Sequence, residues 1–493
     1  MKKAGVSKIA SNNQFSIMRW LETPMTIAVA FALGIFVSGT LGNLLFIGEL
    51  AALAILAILI CLLLKKRMPI ALIMVFILAL GFYQFMGFLA NQNISSGCSE
   101  VKISSNPKTR TASREFLVQD GLGRKAVVNT TDFGSFAYGD KVKLCFEAKN
   151  VVSTDRKTSR YFLSQYKNAY QIKNPQIELI GEGRGLLRAL YALADTVSKK
   201  ILYLYSGDTG ILAKGLLLGG SQGFSSEFSN AIKNSGTSHL VAVSGYNVSI
   251  ITIILFRYIR AAFSRRSAII FSIIFLVCFC LLSGATASVV RASLMGLMYI
   301  IAKIIGRRGA IINSLFVAAF FMLILNPFAL WDIGFELSFM ATFGLIFLGE
   351  PMIKLFFGRL KDGTAKDVAS TLCETISAQL FTLPILLSAF GKISIIAPIA
   401  NVLILLLVPL AMLLIFISVI GAFLWQNIGL LLAGVANVLL DYFVAVIKFF
   451  GSLKMAALSV NVAGAGWVLA MYISIFILSY FVRLGVRIKL KNG

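Results

Sequence analysis

Long apolar runs separated by short charged clusters dominate this chain, and a single polar tract in its first third interrupts them. A bilayer-spanning helix needs about 20 mostly apolar residues. Residues 25–64 are long enough for a helical hairpin that turns at Gly42 and Asn43, and 70–90 would make a third span. Further candidates are 268–283, 310–325, 333–348, 371–390, 397–424, 428–450 and 464–482. A soluble fold with so many such segments would be left with an oily surface. The pattern predicts a polytopic α-helical membrane protein.

The polar tract, 91–185, reads differently. It holds fifteen Lys/Arg against nine Asp/Glu, and VKLCFEAKN and YQIKNPQIELI alternate polar and apolar residues as half-buried strands do. A Gly-Asp turn opens AYGDKVKL. A small β-rich domain is expected, inserted after the first transmembrane helices and of the OB barrel type, which binds single strands through basic grooves and stacked aromatics. Phe133, Phe136, Tyr138, Tyr161, Phe162, Tyr166 and Tyr170 either supply that stacking or fill a small core. In 186–206 apolar residues recur at helical spacing beside Arg188, Asp195, Lys199 and Lys200, the pattern of an amphipathic helix at the interface. The Gly- and Ser-rich run LLLGGSQGFSSEFSNAIKNSGTSHLVAVSGYN follows. Irregular backbone near membrane depth survives only against protein or water, so this interrupted helix is a candidate pore or site.

Composition sharpens the picture. Only 14% of the 493 residues are charged, while the net charge is +25. One reading of the charge is topological, since Lys and Arg flanking helices set orientation. Lys2/Lys3/Lys8/Arg19, Lys65/Lys66/Arg67, Arg257/Arg260/Arg265/Arg266, Arg307/Arg308, Lys354/Arg359/Lys361 and Arg483/Arg487/Lys489/Lys491 fit it, with both termini cytoplasmic and 91–185 outside. The first span reads as a retained anchor, not a cleaved signal. Cys61, Cys278, Cys280 and Cys373 lie in or beside apolar spans, where thiols act as small hydrophobes. Cys98 and Cys145 fall in the polar tract, where an oxidising compartment would permit a disulfide that spacing alone does not prove. His239 is the sole histidine, which excludes a multi-histidine zinc or two-metal hydrolase site.

Polar groups within the apolar half mark four places. They are Ser238, His239, Ser244, Gly245 and Asn247; SGATASVVRASLMG around Arg291; WDIGFELSF, where Asp332 and Glu336 share a helix face; and Glu374, Gln379, Lys392 and Asn401. Ionisable groups inside a membrane cost roughly 2.5–3.5 kcal/mol each and face a partner or a wet cavity. Arg291 pairing with Asp332 or Glu336 is either a structural ion pair or part of a pore wall that touches an anionic polymer. The small residues around Arg291 suit close helix packing. His239 and Ser244 also suggest a hydrolase, but no G-x-S-x-G elbow and no nearby carboxylate support it, and a polar residue at a helix end is the plainer reading.

Several of these motifs, in this order, resemble the ComEC family of competence proteins. HLVAVSGYNVS is similar to the family's H-L-x-A-x-S-G-x-H, with His239, Ala242, Ser244 and Gly245 matching and Asn247 at the second histidine position. SGATASVVRASLM resembles the element leading into R-A-x-x-M, and PFALWDIGFELSF resembles P-x-x-x-x-D-x-G-F-x-L-S-F, with Glu336 where glutamine is common. QLFTLPILLSAFGKISIIAPIANVLILLLVP carries the family's Gln, Pro-x-x-Asn and Pro. The resemblance extends over roughly 204–424. It implies an extracellular OB-like domain, in which a cysteine pair such as Cys98–Cys145 recurs, and a channel that admits single-stranded DNA during natural transformation.

The expected organisation is therefore N-terminal transmembrane helices over 1–90, the β-rich domain over 91–185, amphipathic and interrupted helices over 186–238, and a channel domain over 239–493. Arg291 and Lys392 are expected as phosphate contacts, and His239, Ser244, Gly245, Asn247 and Asn401 as polar lining. Asp332, Glu336 and Gln379 would hold charge or geometry. Neither catalysis nor a cofactor is expected. Single-stranded DNA, membrane lipid, a separate nuclease and other uptake proteins (pilus, DNA receptor, cytoplasmic ATPase) are the expected partners at the cytoplasmic membrane, because the metallo-β-lactamase-like domain of many family members has no counterpart here. The competing reading is a small-solute or ion transporter with a midplane site on broken helices.

Overall fold

The computed structural model describes Ala32 and residues 97–492, apart from 111–112, 133, 135, 148–150, 154–169, 221–222, 242–244, 246, 249–251, 253–258, 260, 262, 306–310, 359, 361–362, 454–455 and 461–464. The expected spans over 25–64 and 70–90, together with Ser244, Phe133, Tyr161, Phe162 and Tyr166, lie outside the described residues. Two compact units result. Of the described residues, one contains those of 97–107, 114–183 and 294–332, and the other those of 108–113, 184–293 and 333–492.

In the first unit the alternation seen in the sequence becomes strands β1 (Gly97–Ile103), β3 (Ser113–Asp120), β4 (Lys125–Thr130), β5 (Lys141–Phe146), β7 (Tyr170–Lys173) and β8 (Gln176–Gly181), with short β6 (Val151–Ser153), while the short β2 (Lys108–Arg110) falls in the other unit. Their order is β6-β7-β4-β3-β1-β5-β8. The β4–β7 pair is parallel, whereas β3 pairs antiparallel with both β1 and β4, and β5 with both β1 and β8. Turn chemistry holds the register. Asp120 accepts from the backbone of Leu122 and Arg124 and pairs with the Arg124 side chain at 2.7 Å, closing the β3–β4 hairpin. The expected Gly-Asp turn is present, with Gly139 at φ 91° and buried Asp140 accepting from Ala137 N at 2.8 Å and Gly183 N at 2.9 Å. Phe136 packs on buried Phe116 with ring centroids 6.2 Å apart. That aromatic fills the core, the plainer of its two readings.

The helices of the second unit begin with α1 (Leu186–Leu204), which buries Ala194 and Ile201 and exposes Leu193, Leu202 and Tyr203. Helices α2 (Gly207–Leu218), α3 (Ser226–Ser235) and α4 (Ser238–Val241) then break the chain into short pieces. Each break has a local cause. Gly219 ends α2 at φ 85°, Ser225 caps α3 by accepting from Phe228 N, and Gly236 ends α3 in the left-handed region. Next come α5 (Arg265–Leu282) and α6 (Ala287–Ile305). Helix α6 passes into the first unit, where α7 (Ile311–Leu325) and the 3₁₀ turn Pro327–Trp331 follow.

Back in the second unit, α8 (Ile333–Gly344) continues through a π-helical turn (Leu345–Gly349) into α9 (Glu350–Phe357). The expected span 333–348 is thus longer, Ile333–Phe357. After α10 (Thr364–Phe390) and β9 (Lys392–Ser394), the segment expected as one span, 397–424, is two helices, α11 (Ala397–Leu405) and α12 (Val408–Leu424), bent by 47°. Pro409 sits in the first turn of α12, where its missing N–H costs nothing. Helices α13 (Gln426–Ser452) and α14 (Ala465–Asn492) complete the unit, with β10 (Ala457–Ser459) pairing antiparallel to β9. Among the described residues four helices are long and apolar enough to cross a membrane: Ile333–Phe357, Thr364–Phe390, Gln426–Ser452 and Gly466–Lys489. The bent α11–α12 pair makes five if counted as one span.

Small residues set the helix spacing. A Cβ at Gly429 would lie 2.3 Å from the Ala422 Cβ, and one at Gly344 would lie 2.4 Å from the Ser377 carbonyl oxygen. Such contacts replace the hydrophobic drive that lipid cannot supply between helices. Outward, α12 exposes Leu410, Leu413, Phe416 and Ile420, an apolar face suited to lipid tails.

Candidate functional site

The stretch that the sequence singles out is held at both of its ends. At the first end, Gly236 terminates α3 and presses against the β9–α11 turn. A Cβ there would lie 2.5 Å from the Ala397 Cβ and 2.8 Å from the Ser394 Cβ. Only a residue without a side chain, and comfortable at φ 72°, fits this corner. The His239 imidazole hydrogen-bonds to the Gly236 backbone.

The other end meets Arg291. The Arg291 side chain is 9% exposed, and one of its Nη atoms donates to the Ser338 carbonyl and, at 2.7 Å, to Thr342 Oγ1. The other Nη lies against Gly245, where a Cβ would approach it to 2.5 Å. Gly245 is therefore the gap through which the guanidinium reaches α8. Asn247 is 2% exposed and its amide donates to the Leu216 carbonyl in the last turn of α2 at 3.5 Å.

Arg291 thus joins the signature segment, α6 and α8. Its hydrogen bonds go to a carbonyl and a hydroxyl on α8, beyond Glu336 in that helix's first turn, where a carboxylate partner was the expectation. Asp332 belongs to the other unit and caps the 3₁₀ turn. Thr342 went unnoticed in the sequence, although Ser338 and Thr342 recur at helical spacing within an apolar helix, which is the available signal.

Of the remaining polar residues, Gln379 and Lys392 meet at β9. Gln379 on α10 donates to the Ser394 carbonyl at 2.6 Å. Asn401 is buried on α11, while Lys392 is exposed at the start of β9, opposite Ser459. The β9–β10 pair has no sequence signal, because three-residue strands between long helices leave too short an alternation to read. Cys98 and Cys145 face each other across β1 and β5, with Sγ atoms 2.04 Å apart. No group of three or more His, Cys, Asp or Glu suited to a metal occurs among the described residues.

These features define a class: a multi-pass α-helical membrane protein with a β-rich insert and, in its helical part, a buried arginine hydrogen-bonded to a neighbouring helix. Residues 216–484 match the family model described as Competence protein, and the chain belongs to that family. It is 34% identical over 180 residues to ComE operon protein 3 of Bacillus subtilis (strain 168), an alignment covering 36% of this chain. That alignment takes in 22% of the relative's own length. No solved structure matches the chain significantly.

Proposed function

We propose that this chain is the membrane channel through which single-stranded DNA enters the cytoplasm during natural transformation. The observation that carries the reading is Arg291, a guanidinium held beside Gly245 with a carbonyl and a hydroxyl of α8, and no carboxylate, as its hydrogen-bond partners among the described residues. Its charge stays uncompensated by those bonds. A DNA strand carries one negative charge per nucleotide, so a positive potential at the centre of the path favours the polymer. Asn247, Asn401, His239, Ser244 and Gly245 are neutral and suit a lining along which a strand slides, while Lys392 at an exposed strand end suits a phosphate contact nearer the mouth. Asp332, Glu336 and Gln379 hold the helices.

In this reading the β-rich insert is an OB-type module that meets the strand outside the cytoplasmic membrane, where an oxidising compartment suits the Cys98–Cys145 pair. The channel itself has no catalytic role. A separate nuclease and pilus, DNA-receptor and ATPase components would complete uptake.

The test is uptake of labelled DNA, and transformation frequency, in cells carrying Arg291→Lys, Arg291→Gln or Arg291→Ala. Lysine keeps the charge and should keep measurable uptake. Glutamine keeps hydrogen bonding without charge and should lose it, as should alanine. Unchanged uptake in Arg291→Ala, with the protein present at normal levels, would end the channel role of this centre.

A further inference from the structure

The outward face of the β-rich unit carries a row of lysines that the strand register places side by side. Val101, Ile103, Val118, Ala126 and Val142 point into the core, so the residues that alternate with them point out. On that outward face Lys125 of β4 stands opposite Gln119 of β3, Gln119 opposite Lys102 of β1, and Lys102 opposite Lys141 of β5. Adjacent strands lie about 4.8 Å apart, so the row crosses four strands over roughly 14 Å. Lys102 and Lys141 are exposed, and Gln119 and Lys125 are half-buried. Neither Lys102 nor Lys141 makes an ion pair among the described residues.

Like charges directly opposite one another destabilise a sheet, and opposite charges in register stabilise it. Two residues along the same face the favourable pattern is present: Lys143 of β5 stands between Glu100 of β1 and Glu178 of β8. The Lys102–Lys141 pair lacks such a neighbour, because the residue in register beyond Lys141 is Gly181. At the β3–β4 end, Asp120 is engaged by Arg124 and by the hairpin backbone. A counter-charge for the row therefore has to come from outside the sheet. A single small anion would reach one or two of these positions, whereas a chain of phosphates reaches all of them. The row contains no aromatic side chain on which a base would stack, so it suits the backbone of a strand.

We infer, resting on the reading that the β-rich insert meets the incoming strand, that Lys102, Lys125 and Lys141 with Gln119 between them form a phosphate track for single-stranded nucleic acid. The strand crosses the sheet along this row and is held without regard to its base sequence.

The experiment is fluorescence anisotropy of a labelled oligothymidylate with the full chain in detergent, at salt concentrations from about 50 to 200 mM. Each phosphate contact on a single strand contributes about 0.7 to the slope of log K against log salt. Lys102→Gln, Lys125→Gln and Lys141→Gln combined should reduce that slope by about 2. The unsubstituted protein should then lose roughly twentyfold more affinity than the triple variant across the salt range. Relief of the Lys102–Lys141 repulsion should keep the Tm of the triple variant at or above the unsubstituted value. Arginine at all three positions should preserve the slope, and an oligoadenylate should give the same difference. Lys143→Gln, whose charge Glu100 and Glu178 offset, should leave the slope as it is. If the unsubstituted protein binds and the triple variant has the same slope, the track is overturned while the channel reading stands. An equal change per lysine in Lys143→Gln also overturns it, because the attraction is then diffuse. Absence of salt-dependent binding by the unsubstituted protein overturns the track together with the insert's role in meeting the strand. A dependence on the three lysines seen with phosphatidylglycerol micelles and not with the oligonucleotide assigns the face to lipid and overturns the track.

Discussion

Replacing Gly245 by alanine tests the centre of the site in a single methyl group. On propensity alone the change should stabilise, because Gly245 is helical and alanine is better than glycine in a helix by about 1 kcal/mol. The structure argues the opposite sign. The new Cβ would lie 2.5 Å from an Nη of Arg291. A guanidinium at the end of a flexible side chain ordinarily swings aside at little cost, but this one is buried and pinned to the Ser338 carbonyl and Thr342 Oγ1. Moving it sacrifices those bonds, worth about 0.6–1.7 kcal/mol each between membrane helices. Keeping it forces overpacking at about 1–3 kcal/mol. Whichever route is cheaper, a net destabilisation of up to about 2 kcal/mol remains after the propensity gain is subtracted. The assay is the order of Tm values in detergent for four proteins: unsubstituted, Gly245→Ala, Arg291→Ala and the double variant. Gly245→Ala should lower Tm in the first background and raise it slightly in the Arg291→Ala background, a coupling visible as a change of sign. A higher Tm for Gly245→Ala with Arg291 intact would refute the pinned-guanidinium argument.

Other consequences are as direct. The disulfide pair spans 47 residues, for which loop-closure entropy alone corresponds to about 4 kcal/mol, so Cys98→Ser should make the β-rich unit markedly more sensitive to protease digestion. Unchanged digestion kinetics would show that the bond does not constrain it. Tyr205 and Ser418 share a buried hydrogen bond of 2.7 Å, and Ser418 also donates to the Ile415 carbonyl. Tyr205→Phe should therefore cost only about 1 kcal/mol, since its partner remains bonded, and a Tm loss as large as that of a core truncation would contradict this. Gly344→Val places a branched side chain where a single Cβ already meets the Ser377 carbonyl at 2.4 Å. It should abolish accumulation of folded protein in the membrane, whereas Gly434→Ala, in open space, should leave it unchanged.

The hydrophobic pattern alone carried the class of protein, the polar insert, the amphipathic α1 and the Gly- and Ser-rich interruption. Those features depend on local periodicity and on turn chemistry: an apolar run of sufficient length is a span whatever it packs against, and residues such as Gly219 and Gly236 break a helix by their own backbone preference. The order of motifs along the chain likewise carries the resemblance to the competence family. Tertiary structure alone decided the partners. Nothing in SGATASVVRASLM or HLVAVSGYNVS says that Arg291 threads past Gly245 to a carbonyl and a hydroxyl on α8, because carboxylates at 332 and 336 are the nearer choice in charge and the backbone carbonyl carries no sequence signal. The 47° bend between α11 and α12 was hidden for a related reason. Proline at 409 is compatible with starting a new helix or with kinking an old one, and packing chooses between them. The contacts of Ser394 are the furthest from sequence, since Gly236 and Gln379 come from two separate elements and meet it only when β9 folds against the end of α3.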